Sequence, residues 1–282
     1  MLTTNALEIA SSDWTARTRL LVDSHLDRLL SPARISPVSE AMRYSVLAPG
    51  KRVRPLLTLV VSDFLGSTPA YAMHVACAIE MIHSASLILD DLPCMDNDRE
   101  RRNRLSTHVK FGESLAILAA VSLLTQSYRM IASDDMLPPD LRLKLVQLLC
   151  ETVGPDGLSL GQYIDLHTKS DAATPAAISD IHHLKTGILF IAAAKAGALI
   201  GNASPSQQEQ VIRFATNLGL SFQLLDDLKD SDTVGVNMVT RIGVPSARRK
   251  VREYFQAANL AIEGEKNAAI LQDFAGTFFR QI

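Results

Sequence analysis

Apolar residues recur at helical spacing along almost the whole chain, and no segment shows the alternation of apolar and polar residues that is typical of a β-strand. Proline and glycine interrupt this pattern at residues 36–37, 66–69, 137–139, 153–155 and 201–205. Between the breaks lie segments of about 10 to 25 residues, a normal length for globular helices. Thr174-Pro175 and Ser204-Pro205 each have the form of a helix N-cap followed by a first-turn proline. No repeat or low-complexity linker divides the sequence, which predicts a single all-α domain over residues 1–282.

An acidic cluster directly follows one of these apolar runs. Its aspartates are Asp90, Asp91, Asp96 and Asp98. An apolar run of this kind belongs in a core, where uncompensated carboxylates are costly unless a cation neutralises them. Pro93 is expected to end the helix after the two leading aspartates, so that Asp96 can turn back toward the same metal ion. All-oxygen ligands suit Mg²⁺, which commonly bridges carboxylates to substrate phosphates.

A second acidic cluster ends another apolar run far along the chain. Its polar residues follow helical spacing of i, i+3, i+4 and i+7: Gln223, Asp226, Asp227 and Asp230. One broad helix face therefore presents an amide and three carboxylates. Because carboxylates one turn apart repel each other, a bound cation is the natural explanation for this grouping.

Basic residues accompany both acidic clusters. Lys51, Arg52 and Arg54 lie in a turn bounded by glycine and proline that opens an apolar helix. Such a turn either binds an anion or is simply solvated. Arginines at positions 99, 101, 102 and 104 follow the first acidic cluster and either pair with it or bind phosphates bidentately. His83 shares a helix face with Asp90 and is either a core histidine or a ligand contact.

Composition excludes several classes of protein. The net charge of −2 gives no nucleic-acid-binding footprint. The three cysteines show no CxxC or disulfide spacing, which predicts reduced thiols in a cytoplasmic protein. The N-terminus lacks the pattern of a signal peptide. The most apolar stretch, residues 187–201, contains Lys195 and is too short to span a bilayer, so no transmembrane segment is predicted.

Together these motifs resemble the trans-isoprenyl diphosphate synthases, or polyprenyl synthetases, and above all the bacterial enzymes that make geranylgeranyl or farnesyl diphosphate. The matching motifs, in the family's order, are Gly50-Lys51-Arg52-x-Arg54-Pro55, His83, Asp90-Asp91-x4-Asp96, Arg101-Arg102, Gly161-Gln162-x2-Asp165, Lys185-Thr186-Gly187 and Phe222-Gln223-x2-Asp226-Asp227-x2-Asp230. Each motif is modest evidence alone, but seven in sequence are specific. The resemblance implies a bundle of long antiparallel helices around a central cavity, usually in a homodimer.

The resemblance also implies a role for each matching residue. Asp90, Asp91 and Asp96 would bind two Mg²⁺ ions on the diphosphate of an allylic substrate. Asp226, with Asp227 and Asp230, would hold a third Mg²⁺ ion. The allylic substrate would further contact Arg101, Lys185, Thr186 and Gln223. The diphosphate of isopentenyl diphosphate would contact Lys51, Arg54, His83 and Arg102. The reaction implied is head-to-tail condensation, in which the allylic C–O bond breaks, isopentenyl diphosphate attacks the cation and a proton is lost.

Product length is expected to depend on the residues that precede the first acidic cluster. Ala85 and Ser86 are both small, so the cavity floor should be open at that depth. Pro93-Cys94 inside the motif also resembles the bacterial geranylgeranyl type. These features favour geranylgeranyl diphosphate over farnesyl diphosphate as the product. Deeper residues such as Tyr128 or Met130 could still limit the chain, and the sequence leaves this open.

Two departures from the family pattern leave alternatives. Asn103 follows Arg102 where relatives usually have glycine. The segment after Asp230 is shorter than in relatives and has no lysine before Lys250, either because a flexible closing loop is deleted or, as we favour, because part of it is missing from the sequence. A non-catalytic prenyltransferase subunit would explain a deletion, although such subunits usually lose motif aspartates. A class I terpene cyclase would not need the basic turn.

Overall fold

Helices make up nearly all of the regular structure, as the hydrophobic pattern predicts. The computed structural model describes residues 4–31, 34–168, 174–229 and 237–279, with side chains from residue 14 onward. In chain order the elements are α1 (Thr4–Leu29), α2 (Pro37–Val46), α3 (Val53–Phe64), α4 (Pro69–Asp90), β1 (Glu100–Arg101), β2 (Arg104–Leu105), α5 (Thr107–Phe111), α6 (Glu113–Ala132), α7 (Pro139–Val153), α8 (Leu158–His167), α9 (Pro175–His182), a π-helical turn (His183–Gly187), α10 (Ile188–Ile200), α11 (Pro205–Lys229), α12 (Met238–Ile242), α13 (Val244–Ala261) and α14 (Ala268–Phe279).

The predicted helix starts follow from local capping. Thr174 accepts a hydrogen bond from the Ala177 amide at 3.2 Å, which confirms it as the N-cap of α9. Ser204 accepts one from the Gln207 amide at 3.3 Å as α11 begins at the next residue. Each bond satisfies one of the amides that the first helical turn leaves without an intrahelical partner.

A two-residue hairpin, β1–β2, is an exception to the prediction that the chain has no strand. Arg101 pairs with Arg104, so the hairpin loop consists of Arg102 and Asn103. Both loop residues have positive φ, 57° and 59°, as a two-residue type I′ turn requires. Asparagine tolerates this conformation well, which explains how Asn103 can occupy a position where the family resemblance implies glycine.

α4 lies at the centre of the bundle, packed against α3, α6 and α10. Buried residues cover all sides of the helix, from Ala72 to Ile88, so its even spread of apolar residues reflects a position inside the core. Gly197 lets α10 approach α3 closely, because a Cβ there would meet the Thr58 carbonyl oxygen at 2.6 Å. Buried apolar residues from Val22 to Phe279 form one continuous cluster.

Three helical segments of the described residues have the length and composition needed to cross a membrane: α4, α6 and residues Pro175–Ile200. Within the bundle, 72%, 39% and 50% of their most apolar windows are buried, respectively. Packing therefore accounts for the apolar character of α4, whereas α6 keeps an exposed apolar face. The sequence argument against a transmembrane segment rests on residues 187–201 alone, and it stays a prediction.

Candidate active site

The two acidic clusters and the basic turn meet in one cleft of about 630 Å³. Its walls include most of the residues singled out from the sequence: Lys51, Arg54, His83, Asp90, Asp96, Arg101, Arg102, Lys185, Thr186, Gln223 and Asp226. Two others, Asp91 and Asp227, are buried and do not line it. Asp230 lies outside the described residues. The helices thus bring together residues that are more than 170 positions apart in sequence, between Lys51 and Asp226.

The first acidic cluster lies where α4 ends. Beyond Asp90 the chain turns back on itself, and the Asp96 amide donates to the Asp90 carbonyl oxygen at 2.9 Å. This return places both carboxylates on the cleft, as the proline at position 93 predicts. Burial raises the pKa of Asp90 to about 6, although Lys185 partly opposes the effect. A carboxylate destabilised in this way gains most from a nearby cation.

Asp91 points to the other side of the chain, toward the hairpin. Its Oδ1 accepts from Arg101 Nε at 2.9 Å and from the Nη2 of the same side chain. Arg101 also binds Asp98 at 2.9 Å. Of the alternatives that the sequence leaves for the arginines, pairing with the acids therefore holds for Arg101, which nevertheless lines the cleft.

The basic wall of the cleft carries Lys51, which lies 3.7 Å from Asp226, together with Arg54 and Arg102. Arg54 is half-buried, and its Nη1 lies 3.2 Å from His83 Nε2. Among the described residues nothing accepts from its buried Nε. Burial lowers the pKa of Arg54 to about 10, and burial followed by Arg54 and Arg102 lowers the pKa of His83 well below its usual value. This wall holds the positive charges of Arg54 and Arg102 beside a neutral imidazole, so an anion would stabilise it.

Arg52 has a different role from its neighbours in the basic turn. It adopts positive φ, 51°, and its guanidinium is buried in the protein. It donates to Glu80 and Asp23, each at 2.7 Å, and to the carbonyl oxygens of Val46 and Ala48. Arg52, to which the resemblance gives no substrate contact, therefore anchors the turn. The acid Glu80 in the middle of apolar α4 was the available signal in the sequence.

The π-helical turn delivers Lys185 and Thr186 to the opposite wall of the cleft. Lys185 Nζ lies 2.6 Å from an oxygen of Asp165 and 3.3 Å from one of Asp96. Burial acts to lower the Lys185 pKa, but Asp90 and these two carboxylates outweigh it and raise the pKa. Gly161 makes this packing possible, because a Cβ there would meet the Leu184 backbone at 2.8 Å. π-Helical turns are often found at functional sites.

The second acidic cluster provides Asp226 on the far side of the cleft. One of its oxygens lies 3.7 Å from Lys51 and 3.7 Å from Lys229. Over the described part of the chain, no three side chains of metal-ligating type already converge on one point. The oxygen-only character of Asp90, Asp96 and Asp226, together with the raised pKa of Asp90, fits Mg²⁺ better than a softer metal.

A second cavity of about 320 Å³ begins beside Asp90 and runs along α4. Its lining is mainly apolar and includes Ile82, Ser86, Leu89, Met95, Leu124 and Leu166. Ser86 therefore lies where the sequence predicts, whereas Ala85 is fully buried in the core and Tyr128 and Met130 do not line this cavity. Gln162, which the sequence places in a motif without assigning it a role, also lines this cavity. Both polar atoms of its amide are buried without a hydrogen-bond partner in the described structure.

Comparison with known proteins agrees with this geometry. A sequence model of the polyprenyl synthetase family matches residues 36–235. The geranylgeranyl diphosphate synthase of Pseudescherichia vulneris is 44% identical over 255 residues, which cover 86% of this chain and 83% of that protein. The farnesyl diphosphate synthase of Geobacillus stearothermophilus is 41% identical, over 80% of this chain and 76% of that protein.

Solved structures of prenyl synthases have a similar fold. An FPP/GFPP synthase from Zymomonas mobilis superposes with a TM-score of 0.87 at 30% identity, covering 95% of this chain and 98% of that one. A geranyltransferase from Legionella pneumophila superposes with a TM-score of 0.89 at 26% identity, covering 97% and 98% of the two chains. The all-α prediction is confirmed by this likeness and by the helices described above.

Proposed function

Because this chain belongs to the polyprenyl synthetase family and is a trans-prenyltransferase, we propose that it condenses isopentenyl diphosphate with an allylic diphosphate and makes mainly geranylgeranyl diphosphate. The observation that carries this proposal is that Asp90 lines both a charged cleft and an apolar cavity. A charged cleft suited to diphosphates lies on one side, and an apolar cavity suited to a prenyl tail begins on the other. We propose that the whole chain works as a single domain.

The allylic diphosphate occupies the acidic side of the cleft in this proposal. Asp90, Asp96 and Asp226 would hold Mg²⁺, and family membership supports three ions with Asp230 as a further ligand. When bound, Mg²⁺ stabilises the negative charge that develops on the leaving diphosphate. Lys185 and Arg101 add fixed positive charge at the same place. The predicted metal roles of Asp91 and Asp227 are less well supported, because both carboxylates are engaged by protein groups.

Isopentenyl diphosphate occupies the basic side. Lys51, Arg54 and Arg102 supply positive charge, and a neutral His83 can donate an N–H hydrogen bond. Arg54 lines the cleft, so a diphosphate oxygen would gain a charge-assisted hydrogen bond from its guanidinium.

The chemistry needs no protein nucleophile. Ionisation of the allylic C–O bond leaves a carbocation, the double bond of isopentenyl diphosphate attacks it, and the released diphosphate takes the proton lost from the adduct. Thr186 and Gln223 line the cleft near Lys185 and offer oxygen atoms to the positive carbon. The apolar cavity walls exclude the water that would quench the cation.

Product length follows from the apolar cavity. The growing tail would pass Leu89, Ser86 and Ile82, each about one turn deeper along α4. Ser86 leaves this wall open, which supports geranylgeranyl diphosphate as the product. Farnesyl diphosphate is the second candidate, since a farnesyl diphosphate synthase is among the similar proteins and Leu124 of α6 narrows the cavity from the opposite side.

A second copy of this chain is the partner that we propose for α6. Ile117, Leu118 and Val121 are 44%, 51% and 51% exposed on one face of that helix. An apolar face of this kind is typical of a subunit interface, and homodimers are what the family resemblance implies. With α6 covered in this way no membrane is needed to shield it, so we propose a cytoplasmic homodimer.

The experiment uses the full chain, checked by mass, with Mg²⁺, labelled isopentenyl diphosphate and, in separate reactions, dimethylallyl, geranyl and farnesyl diphosphate. The products are dephosphorylated and sized. Geranylgeraniol, lost in EDTA and in Asp90→Ala but kept in the control Asp135→Ala, is the expected result; Asp135 is 98% exposed. Farnesol as the longest product would support the condensation reaction but make farnesyl diphosphate the product. Absence of elongation with every primer would contradict the proposal and favour a non-catalytic subunit.

A further inference from the structure

Asp227 belongs to the second acidic cluster, but its carboxylate points away from the cleft. The residue is only 6% exposed. Its Oδ1 accepts from Gln223 Nε2 at 3.0 Å, and its Oδ2 accepts from the Met238 amide at 2.9 Å. His182 Nε2 lies 3.5 Å from the same Oδ2, and burial lowers the pKa of that histidine. Protein groups therefore already occupy both carboxylate oxygens.

This arrangement fixes the direction in which the Gln223 amide points. A carboxylate that accepts at both oxygens has no proton to donate, so the amide must turn its NH₂ toward Asp227 and its oxygen the other way. That oxygen, Oε1, then accepts from the Thr186 hydroxyl at 2.7 Å. Because the hydroxyl has a single proton, which it gives to Gln223, only its lone pairs remain for the cleft.

We propose that Asp227 is a positioning residue for Thr186 and Gln223 and not a ligand of a cation. By orienting the amide, it makes both side chains present oxygen lone pairs, and no N–H or O–H, to the positive allylic carbon. Oxygen lone pairs aimed at a developing positive charge lower the barrier to ionisation, whereas a reversed amide would aim an N–H at it. The inference rests on the proposed function for its effect on rate, while the hydrogen-bond order itself stands on geometry.

Asp227 also joins the two helices that flank residues 230–236. Asn237 Nδ2 donates to the Asp227 carbonyl oxygen at 3.1 Å, in addition to the bond from the Met238 amide. The beginning of α12 is therefore tied to the same residue that orients Gln223. This explains why the position demands a carboxylate: it must accept from a backbone amide on one side and from a side-chain amide on the other.

A double-mutant cycle tests the proposal. Asp227→Asn would set two NH₂ groups against each other, reverse the Gln223 amide and lower kcat by about 10- to 100-fold, the worth of one charge-assisted hydrogen bond. Gln223→Glu would place two carboxylates 3.0 Å apart and also lower kcat. In the double variant the order is restored, since the amide introduced at position 227 donates to the carboxylate introduced at position 223, and Thr186 still donates to that carboxylate. Here kcat should recover by at least about tenfold over the poorer single variant.

Two further readouts separate this proposal from the alternative that Asp227 binds Mg²⁺. The half-saturating Mg²⁺ concentration should stay at the wild-type value in Asp227→Asn and rise in Asp226→Asn, which is the reference for a cleft carboxylate. A rise in Asp227→Asn without recovery in the double variant would overturn the proposal. The cycle is also measured by thermal unfolding in EDTA, where the double variant should regain the Tm that the single variants lose. This arm needs no catalysis, so it decides the hydrogen-bond order even if the wild-type chain fails to elongate any primer.

Discussion

The buried pair of Arg52 and Glu80 gives the sharpest test of how the basic side of the cleft is built. Their side chains are 2% and 3% exposed and 2.7 Å apart. Glu80→Ala leaves the guanidinium buried with Asp23, which is 42% exposed, as its remaining carboxylate. Breaking a buried ion pair typically costs about 3–5 kcal/mol. Because Asp23 and two carbonyl oxygens still bind Arg52, we expect the lower end, about 3 kcal/mol, or a fall in Tm of roughly 6 °C for a chain of this size.

The same change should affect one substrate more than the other. Arg52 anchors the turn that carries Lys51, so its release would displace the basic wall while leaving Asp90 and Asp96 in place. Misplacing binding groups by about 1 Å can lower kcat/KM by up to about 100-fold. We expect kcat/KM to fall by about 10- to 100-fold for isopentenyl diphosphate, with the KM of the allylic diphosphate unchanged.

Steady-state kinetics with each substrate varied in turn and thermal unfolding are the assays, with the exposed Glu253→Ala as control. The double variant Arg52→Met/Glu80→Leu separates stability from function. Replacing a buried ion pair by apolar residues is often neutral for stability, so the Tm should recover while the KM for isopentenyl diphosphate stays high. Equal losses for both substrates, or a loss of stability below about 1 kcal/mol, would refute the anchoring role.

Other predictions follow from the described geometry. Burial raises the Asp90 pKa above its unfolded value, so the stability linked to this group is present at acid pH and is lost as pH rises through about 6. In EDTA, Asp90→Asn should therefore raise the Tm at pH 7.5 and have little effect on it near pH 4. An equal change in Tm at both pH values would contradict the burial argument. Gln162→Met should add about 1 kcal/mol of stability in a denaturant titration by removing an unsatisfied amide and lower kcat; a loss of stability would show that the amide has a partner. Ser86→Phe should shift the product toward farnesol in the sizing assay, while Ala85→Phe, at a fully buried position, should instead lower the Tm through overpacking by about 1–3 kcal/mol; a normal geranylgeraniol yield from Ser86→Phe would contradict the tail path. Ile117→Lys should shift the chain from dimer to monomer in sedimentation velocity, and an unchanged dimer would move the interface elsewhere.

Helical periodicity predicted the elements well but could not say which residue of each aspartate pair faces the cleft. Successive helical residues point about 100° apart, so the two aspartates of each pair, Asp90 with Asp91 and Asp226 with Asp227, point in different directions. In each pair the first aspartate lies on the cleft and the second is buried against protein donors. The i, i+3, i+4 pattern identifies a broad face of a helix. The direction in which each aspartate side chain on that face points depends on packing partners distant in sequence.

Other features depend on contacts that no local pattern encodes. Met238 reaches Asp227 across residues 230–236, and Arg52 turns inward because Glu80 of another helix is there to receive it. The basic turn alone is compatible with three solvated or anion-binding cations. Gln162 belongs to a motif that the sequence reveals, but its unsatisfied amide becomes visible only when the cavity around it is known.

One rigid helix sets the distance between the two proposed diphosphate sites. α4 carries Glu80, which anchors the basic turn through Arg52, then His83 on the basic wall, and finally Asp90 on the acidic side. Glu80 and Asp90 are ten residues apart, which corresponds to about 15 Å along a helix. Because α4 is one continuous helix packed against α3, α6 and α10, the distance between these residues is fixed. In the proposed function, α4 would therefore fix the distance between the two diphosphates, and the cation formed between the substrates would meet the oxygen atoms that we propose Asp227 orients from α11.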